Sequence, residues 1–109
     1  MSYALEKLSL AIDDLAIGEG DIKSRLRSVF PLLSAVSVGE FPDDLKSEWE
    51  SIIHRLTKKN SINKGTEYDE GDFEATIFRM HKSTAVKIAK DILEIQSRLE
   101  DYVADGWSK

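Results

Sequence analysis

Apolar residues recur along this chain at three- and four-residue steps, the period of a helix that buries one face. Leu5, Leu8, Ile12 and Leu15 make the first run, with Ala4 and Ala11 beside them, and predict a helix over about 3–17. Gly18 is its expected stop, in the left-handed conformation that glycine takes easily after a last turn. Asp13 and Asp14 lie near that end, where the helix dipole disfavours acids. A basic neighbour or solvent must offset them. Gly18-Glu19-Gly20 reads as a turn, and Asp21 as the N-cap of a second helix. Its inner stripe is Ile22, Leu26, Val29, Phe30 and Leu33. Pro31 removes the bond to the carbonyl of Arg27 and predicts a kink or a restart there. Leu32 to Val36 stay apolar enough for burial.

Ser37 to Phe41 is a connection. Pro42 suits a first helical turn, where its missing N–H costs nothing, and Asp43 and Asp44 suit the positive helix start. A third helix over about 42–58 follows, with Leu45, Trp49, Ile52 and Leu56 in 4-3-4 spacing and Lys58 and Lys59 in its last turn. Asn60 to Gly71 is the one long polar loop, basic in its first half and acidic in its second. Asp72 is the expected cap of a fourth helix running to about Met80, with Phe73, Ile77 and Met80 inward. Glu74 to Arg79 also alternates like a short strand, but no partner strand is visible, so helix is preferred. His81-Lys82 reads as a break, with Ser83 or Thr84 capping a fifth helix. Its expected inner face is Ala85, Ile88, Ala89, Ile92, Leu93, Gln96, Leu99 and Val103. Gly106 ends it, and Trp107 is expected to pack back on the last turn near Tyr102. The pattern is that of an all-α fold, a single helical domain over 1–109 built as a bundle of four to five amphipathic helices.

Composition agrees with this. A chain of 109 residues is one domain by size, and 41% hydrophobic content allows one modest core. The chain has no Cys, which removes disulfides, thiolate metal sites and a thiol nucleophile together. No apolar run approaches the ~20 residues of a membrane span. Met1 to Leu10 lacks a signal-peptide pattern, so the expected location is cytoplasmic.

Charge changes the picture more. The chain holds 20 acids and 15 bases, and five of the acids lie within Glu67-Tyr68-Asp69-Glu70-Gly71-Asp72-Phe73-Glu74. Outside that segment the two signs balance, so the whole net charge of −5 sits in it. Lys23, Arg25 and Arg27, and Lys58, Lys59 and Lys64, form basic clusters without any reader motif around them. With an acidic chain, nucleic acid is not the expected partner, and neither is a membrane.

The candidate chemistry is sparse. A di-metal bundle needs Glu-x-x-His pairs, and this chain has only two His. Glu50 and His54 are four apart, but His54 lies about 160° from the centre of its helix's apolar face, at ~100° per residue. An exposed His beside Glu50 is the expectation, and His81 is expected in a turn. Asp69-Glu70-Gly71-Asp72 lacks EF-hand spacing. The acids at Glu19 and Asp21 oppose a phosphate loop at Gly18 to Gly20. No nucleophile elbow occurs. Asp13-Asp14 and Asp43-Asp44 point ~100° apart on a helix and make no acid/base dyad. No catalytic residue, metal or cofactor is expected, and the chain reads as a non-enzyme. Trp49 and Phe30 read as core.

The acidic segment has two readings. Asp72 and Glu74 stabilise a helix start by ~0.3–1 kcal/mol each, and Glu67, Asp69 and Glu70 are then simply solvated. Alternatively, Glu67, Tyr68, Asp69, Glu70, Asp72 and Glu74 form an acidic, aromatic contact for a basic protein partner, with Tyr68 as its hot spot.

Gly20-Asp21-Ile22-Lys23-Ser24-Arg25-Leu26, Phe41-Pro42-Asp43-Asp44-Leu45, and Ala75-Thr76-Ile77-Phe78-Arg79-Met80 leading into Ser83–Leu93 together resemble a family of small all-helical bacterial proteins of unassigned activity. The likeness covers most of the chain and implies fold and a bacterial origin. The acidic helical form is also similar in style to immunity proteins that neutralise nuclease toxins. The expected function is therefore a non-enzymatic protein-binding protein of the immunity type, covering a basic nuclease toxin domain. The alternative is a helical regulatory or scaffolding module acting through self-association.

Overall fold

The computed structural model describes residues 2–18, 20–59 and 71–107. Among these, five α-helices and one short 3-10 turn follow one another: α1 (Tyr3–Ile17), α2 (Ile22–Ser34), the turn Val38–Glu40, α3 (Asp43–Thr57), α4 (Gly71–Arg79) and α5 (Lys82–Ala104). The fold is an all-α single domain. Residues 74–79, which also fit a strand by alternation, are helical. No described helix is long and apolar enough to cross a membrane.

Burial on α1 follows Ala4, Leu8, Ala11 and Leu15, while Leu5 and Ile12 are only half-buried. Ser2 caps this helix, its hydroxyl accepting from the Leu5 N–H at 3.2 Å. Gly18 is extended (φ −63°, ψ 152°), not left-handed as expected; the positive φ falls at Gly20, at 88°. Glycine is needed at 18 for a different reason: a Cβ there would lie 2.4 Å from the Asp14 carbonyl oxygen. The basic neighbour at this helix end is Arg25. Its guanidinium donates to the carbonyls of Leu15 and Gly20, at 3.3 and 3.0 Å, satisfying one of the helix's orphan acceptors.

Asp21 caps α2 by accepting from the Ser24 N–H at 3.0 Å, and Leu26, Val29 and Leu33 are buried. Of the kink or restart expected at Pro31, the restart does not occur: the helix continues to Ser34, and Val36 beyond it is buried as well. The core neighbours on this face hold the helix together across the missing bond. In α3, Leu45, Trp49, Ile52 and Leu56 are all buried, as their spacing predicts. Trp49 stacks on Phe41 with centroids 4.9 Å apart and donates to the Val36 carbonyl at 3.2 Å, so the connection between α2 and α3 is pinned to the core.

The capping expectation for α5 is corrected. His81 is its N-cap and Lys82 its first residue, so Ser83 and Thr84 already lie inside the helix. The inner face is corrected too. Ile95 is buried, Leu93 is 45% exposed, and Gln96 is half-buried with its amide reaching the Ser9 hydroxyl on α1 at 3.4 Å. The end of α5 matches expectation: Gly106 takes φ 101°, and the N–H groups of Gly106 and Trp107 donate back to the carbonyls of Val103 and Tyr102. That double bond is a Schellman closure, and it folds Trp107 against the core.

Three polar ties mark the seam of α3 and α5. The Tyr102 hydroxyl donates to Asp44 at 2.6 Å, Arg98 pairs with Glu48, and Arg55 pairs with Asp91 at 2.8 Å. Each step of four or seven along α3 is matched by the same step backward along α5, so the two helices run antiparallel in one register. Exposed pairs of this kind contribute little energy singly, but they specify alignment.

Candidate partner-binding surface

The acidic segment enters α4, so the placement of α4 decides what the segment can present. Phe73, Ala75, Thr76 and Ile77 are buried. Phe73 lies face to face with Phe30 of α2, with centroids 3.8 Å apart. The Thr76 hydroxyl accepts from the Lys59 N–H at 2.9 Å and donates to the Asp72 carbonyl at 2.7 Å. This joins the start of α4 to the end of α3 and fixes where the acidic segment returns to the bundle. Sequence periodicity places Met80 inward, and it is half-buried against the core; it leaves out Thr76, which is buried because it bonds both ends of the long connection.

The six residues expected to bind a partner divide unequally. Glu67, Tyr68, Asp69 and Glu70 lie outside the described residues, as does the polar loop apart from Gly71. Asp72 is not a cap: α4 begins one residue earlier, at Gly71, and Asp72 occupies its first turn beside Glu74, where the helix dipole favours acids. Glu74 is on the outer face. Its carboxylate accepts from the Arg27 guanidinium at 3.1 Å, between half-exposed side chains, so this acid is partly neutralised within the chain.

Periodicity also leaves out Phe78, which is 79% exposed. It lies four residues after Glu74 and so on the same outer face. Lys23 of α2 donates to its backbone carbonyl at 3.2 Å, holding the end of α4 beside α2. The described part of the surface is therefore an exposed phenyl ring with Glu74, Arg27 and Lys23 around it. The signal for Phe78 was in the sequence: at ~100° per residue it falls well off the stripe of Phe73 and Ile77, where an aromatic side chain has no core to join.

A second exposed apolar feature lies on α1. Tyr3, Leu10 and Ile17 are 47%, 46% and 81% exposed and sit seven residues apart on one face. His54 and Glu50 are both exposed, and among the described residues no group of three or more His, Cys, Asp or Glu could hold a metal ion. Trp107 is half-buried and lines a surface cavity of about 330 Å3 with Tyr102, Pro42 and Asp44. The Asp44 carboxylate, as acceptor, pushes the Tyr102 phenol above its usual pKa. No family model matches the chain, and no curated protein or solved structure matches it either.

Proposed function

We propose that this protein is a non-enzymatic binding protein whose contact surface is the acidic segment at 67–74 together with the outer face of α4. The observation that carries the reading is Phe78, a large aromatic side chain 79% exposed directly after the most acidic stretch of the chain. Aromatic anchors ringed by charge are the usual composition of a binding hot spot, and concentrated charge speeds encounter with a partner of opposite sign. The partner is a basic protein, and the immunity type of function, in which carboxylates cover the surface of a nuclease toxin, follows from the same charge logic. Replacing Glu67, Asp69, Glu70 and Asp72 with Lys abolishes capture of such a partner; unchanged affinity refutes the proposal.

The α1 stripe supports a second reading, self-association through Tyr3, Leu10 and Ile17. Light scattering separates the two: a stable homodimer that persists in high salt and is lost in Leu10→Glu favours the second.

A further inference from the structure

We propose that the cavity where α3 and α4 end and α5 begins binds a small phosphorylated molecule. This goes beyond the protein-binding reading and rests on other residues. The cavity measures about 250 Å3, and among the described residues its lining includes Lys58, Lys59, Arg79, His81 and Thr84 but no carboxylate.

Most cations elsewhere among the described residues have a partner; Lys87 and Lys90 of α5 do not, but they line no cavity with other cations. Among the described residues, Arg27, Lys46, Arg55, Lys82 and Arg98 pair with carboxylates, and Lys23 and Arg25 donate to backbone carbonyls. Lys7 sits over the Tyr3 ring. The side chains of Lys58, Lys59 and Arg79 have no partner among the described residues, and they converge on one cavity. Cations at the ends of α3 and α4 also suit those helices' dipoles. What dipoles do not explain is a cavity lined by three cations that have no partner among the described residues, in a chain of net charge −5.

The third wall adds further donors. No side chain caps α5, since His81 makes no capping bond, so the first-turn N–H groups of a 23-residue helix face this end. The Thr84 hydroxyl and the His81 imidazole complete the donor set. Cations on two sides and N–H donors on a third match a tetrahedral dianion better than a planar carboxylate, and the arginine fork suits two phosphate oxygens at once. The volume exceeds that of a bare phosphate, and Met80 offers an apolar contact for a small organic portion.

The test is a titration of the intact chain with inorganic phosphate and with glycerol phosphate. It is followed by amide proton–nitrogen spectra at ionic strength held constant with chloride. Saturable shifts are expected at Lys59 and at residues 80–84. Arg79→Ala and Lys59→Ala weaken binding by about tenfold each, the loss of one charge-assisted contact. Lys87→Ala and Lys90→Ala, on α5 and outside the cavity lining, leave it unchanged. Tighter binding of the ester places its organic portion against Met80, and equal binding means that the phosphate group alone is read; both support the site. Shifts that fail to saturate overturn it. So do equal losses at Lys87 or Lys90, or tighter binding of a mixed-sequence oligonucleotide than of either small anion.

Discussion

Replacing Thr76 with Val tests how α4 is held. The side chain is 1% exposed, and its hydroxyl is the link between α3 and α4. Valine keeps the shape and removes both bonds. The Lys59 N–H then loses its acceptor, a cost of ~1–3 kcal/mol for a buried donor, at the lower end here because Lys59 is at the surface. The Asp72 carbonyl retains its helical bond and adds little. A methyl in place of the hydroxyl returns up to ~0.8 kcal/mol where it is buried. The net loss is below about 1 kcal/mol, a fall in Tm of up to ~4 °C for a domain of this size. Thermal unfolding by circular dichroism measures it. Hydrogen exchange locates it: amides of α4 lose protection while those of α1 do not. A variant as stable as the parent, or unchanged exchange in α4, refutes the reasoning.

Trp49→Phe removes the donor to the Val36 carbonyl and leaves a void beside Phe41, and is expected to cost about 2–4 kcal/mol in urea unfolding with an unchanged m value. The backbone N–H of Ser24 holds the Asp21 carboxyl below its usual pKa. A depressed carboxylate stabilises the fold above its unfolded-chain value of ~3.9 and loses that effect as pH falls through the folded one. Asp21→Ala therefore lowers Tm at neutral pH, and the gap to the parent closes in melts below pH ~4. The hydrogen bond to Asp44 raises the Tyr102 phenol, so stability from this contact is present at neutral pH and is lost as pH rises through the raised value. Asp44→Asn brings Tyr102 back toward ~10 in an ultraviolet tyrosinate titration.

The α3 stripe was legible from spacing alone, although that helix packs against both α4 and α5. Leu45, Trp49, Ile52 and Leu56 needed only the helical period. On α5 the reading slipped because that helix packs against α1, α2 and α3 together. A face that broad does not say whether Leu93 or Ile95 is inside, and Gln96 is drawn to the α1 side by Ser9. Serine and threonine cap preferences are worth ~1 kcal/mol, too little to shift the start of a long packed helix from Lys82. At the candidate surface, Phe78 was legible from its place off the stripe. The pairing of Glu74 with Arg27 was not, since it joins residues 47 apart in sequence. The link from Thr76 to Lys59 was hidden for the same reason.

The most direct measurement of the central claim is the dissociation constant of the partner complex for the parent chain, Phe78→Ala, and Glu67→Lys with Asp69→Lys and Glu70→Lys, each over a range of salt. Binding through the acidic segment and α4 predicts that Phe78→Ala weakens the complex by about 30-fold, the loss of a hot spot of ~2 kcal/mol. It also predicts that the charge reversal removes both binding and its salt dependence. An equal dissociation constant for all three chains, insensitive to salt, contradicts it.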